Sequence, residues 1–167
     1  MKITCHLPIF LVLTAVALPL TGCGGKQLPP GMPPPVPCEI IVIQEDKPLE
    51  GAVVRLHPVD DSNSSWTAMG RTDASGKAVI YTLDQYKGAV PGKYKVIVSK
   101  TETEDPGPPV PSAEAQGRGR PLGSFYLVEE QYGTASTTTL EIEVAKGTPT
   151  HTVDVGKAVR IRIDNRR

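Results

Sequence analysis

The chain has 167 residues and equal numbers of basic and acidic side chains, 18 of each. A balanced count does not supply in bulk the basic surface that phosphate neutralisation needs, which argues against nucleic acid as a partner. A chain of this length is expected to form one domain.

The first 22 residues, MKITCHLPIFLVLTAVALPLTG, hold one Lys, no carboxylate and a mostly apolar run of about thirteen residues from Pro8 to Leu20. This reads as a secretory signal. The run falls short of the ~20 residues that cross a bilayer as a helix, and it ends in small residues before a cysteine. Leu20, Thr21, Gly22 and Cys23 in that position resemble the lipobox of bacterial lipoproteins. The resemblance implies that a diacylglycerol is joined to Cys23 by a thioether, that the chain is cut before it, and that the new amino terminus is acylated. Each buried methylene contributes roughly 0.8 kcal/mol, so two or three acyl chains anchor stably where one holds only marginally. An ordinary signal peptide cut nearby would instead leave Cys23 as a free thiol. Both alternatives send the chain out of the cytoplasm, and Gly24 after an acylated cysteine would permit sorting to the outer membrane.

The mature chain from Cys23 loses Lys2 and carries a net charge of about −1. Cys5 leaves with the signal, so an acylated Cys23 makes Cys38 the sole free thiol and allows no intramolecular disulfide. The core is expected to hold by packing alone. Residues 24–37, GGKQLPPGMPPPVP, favour polyproline II and read as a tether. At ~3.1 Å per residue it would hold a domain up to about 40 Å from the lipid surface. A proline-rich ligand for a recognition module is the alternative, but such modules are mostly cytoplasmic.

From Cys38 onward, short β-branched runs alternate with Gly, Pro and Asp, the pattern of an all-β sandwich over residues 38–167. The first strand is EIIVIQ at residues 39–44, with a turn at Glu45, Asp46 and Lys47. GAVVRLHP follows, with Ala52, Val54 and Leu56 on one face and Pro58 as its end. Trp66 is placed to close one end of the core. RTDASGKAVIYTL, residues 71–83, reads as a hairpin about the Asp73 to Gly76 turn. PGKYKVIVS alternates Tyr94, Val96 and Val98 inward. Residues 101–121 are rich in Pro, Gly and charge and read as a flexible insertion. SFYLVEEQYG restores order, and TTTLEIEVAKG alternates Leu140, Ile142 and Val144 with Glu141 and Glu143. HTVDV and AVRIRID close the domain, the latter with Val159, Ile161 and Ile163 turned to the core.

Four segments, KPLEGAVVRLHP, GRTDASGKAVIYT, GAVPGKYKVIVSK and, more loosely, VEEQYGTASTTTLEIEVAKG, come in an order that resembles the carboxypeptidase regulatory-like domains of short bacterial lipoproteins. Those domains have a transthyretin-like (prealbumin-like) sandwich, so the resemblance implies a single seven-stranded Greek-key β-sandwich over residues 38–167. The resemblance covers most of residues 47–147 and implies a fold and a cell-envelope location, with no reaction. Transthyretin-like hydroxyisourate hydrolases share a similar sandwich but carry a C-terminal Tyr-Arg-Gly-Ser tail. This chain ends IDNRR, so the resemblance does not extend to that activity.

Chemistry-bearing residues are few. His57 and His151 both fall on strands, and no nucleophile elbow or zinc-protease helix accompanies them. Asp60, Asp61 and Asn63 gather side-chain oxygens as calcium loops do, but the further carboxylate and Gly at fixed spacing are missing, which favours a solvated turn. Trp66, Tyr81, Tyr86, Phe125 and Tyr126 offer stacking surface if exposed and core if buried. The expectation is a non-enzymatic membrane lipoprotein with no cofactor. Its expected partners are a lipid bilayer through acylated Cys23 and an envelope protein or glycan, with carbohydrate or small-ligand binding as the alternative function.

Overall fold

The computed structural model describes residues 27–60, 63–104 and 122–163. The signal segment, Cys23, Asp61 and the interior of the insertion lie outside them.

The chain is all-β among the described residues, apart from short 3-10 structure at Asn63 and at Glu130–Tyr132. Strand β1 (Glu39–Gln44) has the predicted bounds and a period of two, with Ile40, Val42 and Gln44 buried. A two-residue turn follows, in which Glu45 and Asp46 both take positive φ (50° and 60°), the twist that suits a tight hairpin to β2 (Lys47–Pro48). The Glu45 amide donates to the Gly156 carbonyl at 3.0 Å, and its carboxylate accepts from the Ala158 amide at 3.1 Å. Strand β3 (Val53–Pro58) buries Val54 and Leu56 and exposes Arg55 and His57.

Strands β4 (Ala68–Arg71) and β5 (Lys77–Val79) flank the Asp73 turn. The Asp73 carboxylate accepts from the Ser75 amide and hydroxyl and from the Lys77 amide, at 2.8, 2.6 and 3.1 Å. These bonds, that of the Ser75 hydroxyl first, stabilise the carboxylate and hold its pKa below the ordinary carboxylate range. The turn is as expected, but its arms separate: β5 pairs with β1, β4 pairs with β3, and only a Thr72–Ala78 bridge joins them. The chain changes sheet at the buried Ile80, and β6 (Tyr81–Thr82) returns to pair with β4. After β7 (Tyr86–Lys87), β8 (Gly92–Ser99) places Tyr94, Val96 and Val98 inward.

Beyond β8 the structure departs from the sequence expectation. The start of the expected flexible insertion is a strand, β9 (Thr101–Thr103), paired antiparallel with β10 (Ser124–Tyr126). Then come β11 (Glu141–Val144), β12 (Thr150–Asp154) and β13 (Ile161–Arg162). Strand β13 does not enter the core. It pairs with β10, and Ile161 is 46% exposed, because the apolar alternation of AVRIRID faces a small outlying sheet.

Three sheets result, in the orders β12-β1-β2 with β5 also on β1, β11-β8-β3-β4-β6-β7, and β13-β10-β9. β12 runs parallel to β1, so nearly the whole domain serves as the crossover that a parallel pair requires. The first two sheets share one core, Ile40 and Val42 with Val54, Leu56, Tyr94, Val96 and Val98. Buried polar groups in it are matched: Thr82 donates to the Gly88 carbonyl, Thr138 to Val96, and the Gln44 amide to Leu127 and Lys157. Trp66 stands half-buried outside this cluster, and Tyr94 is the aromatic ring at its centre.

The proline-rich segment is no free spacer over residues 27–37. Pro29 to Met32 make a turn with Gly31 at φ 81°, and Met32 and Val36 are 7% and 6% exposed. Val36 and Ala89 exchange both backbone hydrogen bonds, at 2.8 and 3.0 Å. Composition reports proline's stiffness but not where its apolar neighbours find cover.

Cys38 is free and buried. Burial, and then the charge of Glu39, push its thiol from 9.0 up to about 11. Burial likewise pushes the Tyr94 hydroxyl from 10.0 up to about 12, with Cys38 adding to it and a hydrogen bond to Asn63 opposing. Both groups are neutral when protonated, and both values rise on folding. Their stabilisation is therefore complete below about pH 9 and is lost as pH climbs through 11 and 12. The urea midpoint should hold level to about pH 9 and then fall, and Cys38→Ala should delay the fall until Tyr94 begins to titrate.

Candidate functional site

The small sheet builds one wall of a cleft. β9 continues from β8 past Lys100, and the Leu127 amide donates to the Lys100 carbonyl at 2.9 Å. This brings the chain after β10 back across β8 into the 3-10 helix. The cavity left between, about 300 Å³, is lined by Arg55, Ser99, Lys100, Tyr126, Glu129 and Glu130 among others. Arg55 reaches it from the outward face of β3, while Val128 is buried beneath.

Register sorts the small sheet into two faces. Tyr126 lies opposite Thr101 on one side and Ile161 on the other, so these three share a face. Tyr126 and Ile161 are 42% and 46% exposed, and Leu122, just upstream, is 44% exposed. The opposite face carries Phe125 between Glu102 and Arg162. There the Arg160 guanidinium sits 3.8 Å from the Phe125 ring centre, and its Nε lies 3.8 Å from Glu102. The cation–π contact is the more valuable of the two, since an exposed ion pair contributes about 0–1 kcal/mol. Glu104 closes the far end by accepting from the Gly123 amide at 2.9 Å.

The arrangement offers an apolar ring, Tyr126, beside two cations, Arg55 and Lys100, and two carboxylates, Glu129 and Glu130. It suits a ligand or peptide with a flat apolar face and hydrogen-bonding groups at its rim, in a space at the small end of ligand sites.

No protein-family model, curated protein or solved structure matches this chain.

The other candidate residues are dispersed. His57 is exposed on β3 and His151 half-buried on β12, on different sheets. His151 lines a second cleft, about 580 Å³, with Glu141 and Glu143. Its Nε2 has no hydrogen-bond partner among the described residues. Asn63 is turned inward: its Nδ2 donates to the Pro91 carbonyl at 3.1 Å, which occupies it as a loop latch. Asp61 and Cys23 lie outside the described residues, and among those described no group of three or more His, Cys, Asp or Glu is arranged to hold a metal. Tyr81 is 39% exposed, and Tyr86 and Phe125 are half-buried. Sequence reasoning named Tyr126 but missed Arg55, Lys100, Glu129 and Glu130. Arg55's outward place in the β3 alternation was the one signal for them.

Proposed function

We propose that the chain is a lipoprotein, held at the bacterial cell envelope by acyl chains on Cys23. Its transthyretin-like Greek-key sandwich acts outside the cytoplasm as a non-catalytic interaction module. The lipobox and the order of the four sequence segments support the anchor and the family. The observation that carries the interaction role is Tyr126, exposed on β10 beside a charged cleft and next to the insertion. Large exposed rings with Arg at a cleft rim are where binding energy concentrates. The same ring favours a second reading, a carbohydrate or small ligand stacked on Tyr126.

Pull-down from the native envelope with the lipidated protein, against Tyr126→Ala, tests this. A captured protein or glycan should be recovered about 30-fold less well with the variant, the effect of losing a central aromatic anchor, while its denaturation midpoint stays unchanged. Equal recovery of every component by both proteins would remove the cleft from the function.

A further inference from the structure

The packed linker fixes how the domain meets the membrane. The Tyr86 hydroxyl donates to the Gln27 carbonyl at 2.9 Å, Met32 is buried, and Val36 is bridged to Ala89. From Gln27 onward the chain is therefore part of the domain, lying along β7 and the Gly88–Ala89 corner. Only Gly24, Gly25 and Lys26 lie between Cys23 and this held residue in the sequence. However they are arranged, they span at most about 14 Å.

We propose that the domain rests with its β6–β7 end against lipid headgroups instead of standing off on a long stalk. This rests on the acylation of Cys23 proposed above. The chemistry of that end fits a bilayer surface. Tyr81 and Lys87 are register partners and both exposed, and Tyr86 lies beside them. Tyrosine and lysine place an apolar body below a polar tip, as the headgroup level requires, and Lys26 adds a cation in the connecting residues. The sheet order puts β11 at the opposite edge from β7. Five inter-strand spacings separate them, about 24 Å. The Tyr126 cleft, built on β3 and β8 with the small sheet, is carried on strands away from the membrane edge and remains open to the envelope space.

The test uses the full-length lipidated protein in phosphatidylethanolamine–phosphatidylglycerol vesicles whose headgroups carry a nitroxide, which quenches only near contact. A fluorophore is placed on Gln85→Cys, exposed just before β7, in one sample and on Glu143→Cys in another; Cys38, buried and with a thiol pushed up to about 11, stays unlabelled. The label beside β7 should be quenched several-fold more than the β11 label. Inserting about 20 Gly/Ser residues between Gly25 and Lys26, a coil of roughly 25 Å, should abolish the difference. Protein that floats with the vesicles but shows equal quenching at both positions would overturn the orientation alone. Protein that fails to float would overturn the anchor, and the orientation with it.

Discussion

Tyr94→Ala is expected to destabilise the domain by about 3–5 kcal/mol, the cost of deleting a buried aromatic ring from a core that relaxes only partly. Tyr94 has no exposed surface and heads the fully buried side chains in size. It sits on β8, which is paired on both edges, to β3 and β11. Its hydroxyl donates to the Val90 carbonyl at 2.7 Å, tying the loop before β8 to the strand. Tyr94→Phe separates the two contributions: it keeps the ring and leaves a buried carbonyl unpaired, for about 1–3 kcal/mol. Urea denaturation at neutral pH should rank wild type above Phe and Phe well above Ala. Near-equal midpoints for Tyr94→Ala and wild type would mean that the two sheets do not share this core.

Gly88→Ala is expected to cost about 3 kcal/mol and to release the linker. Gly88 takes φ +104°, where a side chain is strained, and a β-carbon there would run into the Val36 carbonyl. The obstacle is backbone on both sides, so no rotamer change relieves it. Gly88 also donates to the Ile80 carbonyl at 2.7 Å and accepts from the buried Thr82 hydroxyl at 2.9 Å, so a shift of the corner would disturb both sheets. Hydrogen exchange separates the local effect from the global one. The Val36 and Ala89 amides should lose protection well before Val96 in the variant, whereas in the wild type they should exchange only with larger openings. Unchanged protection at Val36 would show that the linker is not held by this bridge.

The elements that sequence alone revealed are those in which one local rule suffices. EIIVIQ, GAVVRLHP and GKYKVIVS are short runs rich in β-branched residues and bounded by turn signals; they form β1, β3 and β8, and β3 and β8 bury the residues expected of them. The DASG turn is written in side chains that bond within four residues. What escaped depends on partners distant in the chain. AVRIRID alternates as well as any core strand, yet its partner is β10 and its isoleucine lies open. The proline-rich segment looks like a spacer until Gly88, far along the chain, lets Val36 approach. The cleft escaped for the same reason, since Arg55, Lys100 and Glu130 meet only because the chain after β10 folds back across β8.

A lipid-anchored module requires a mature chain that begins at Cys23 and carries acyl chains there. Mass spectrometry of the N-terminal peptide, from protein extracted out of its native envelope in detergent, reads this directly. The prediction is a peptide starting at Cys23 with a diacylglyceryl thioether on its sulfur and an acyl group on its amine. A peptide retaining the residues before Cys23, or one whose sulfur at that position is unmodified, would contradict it.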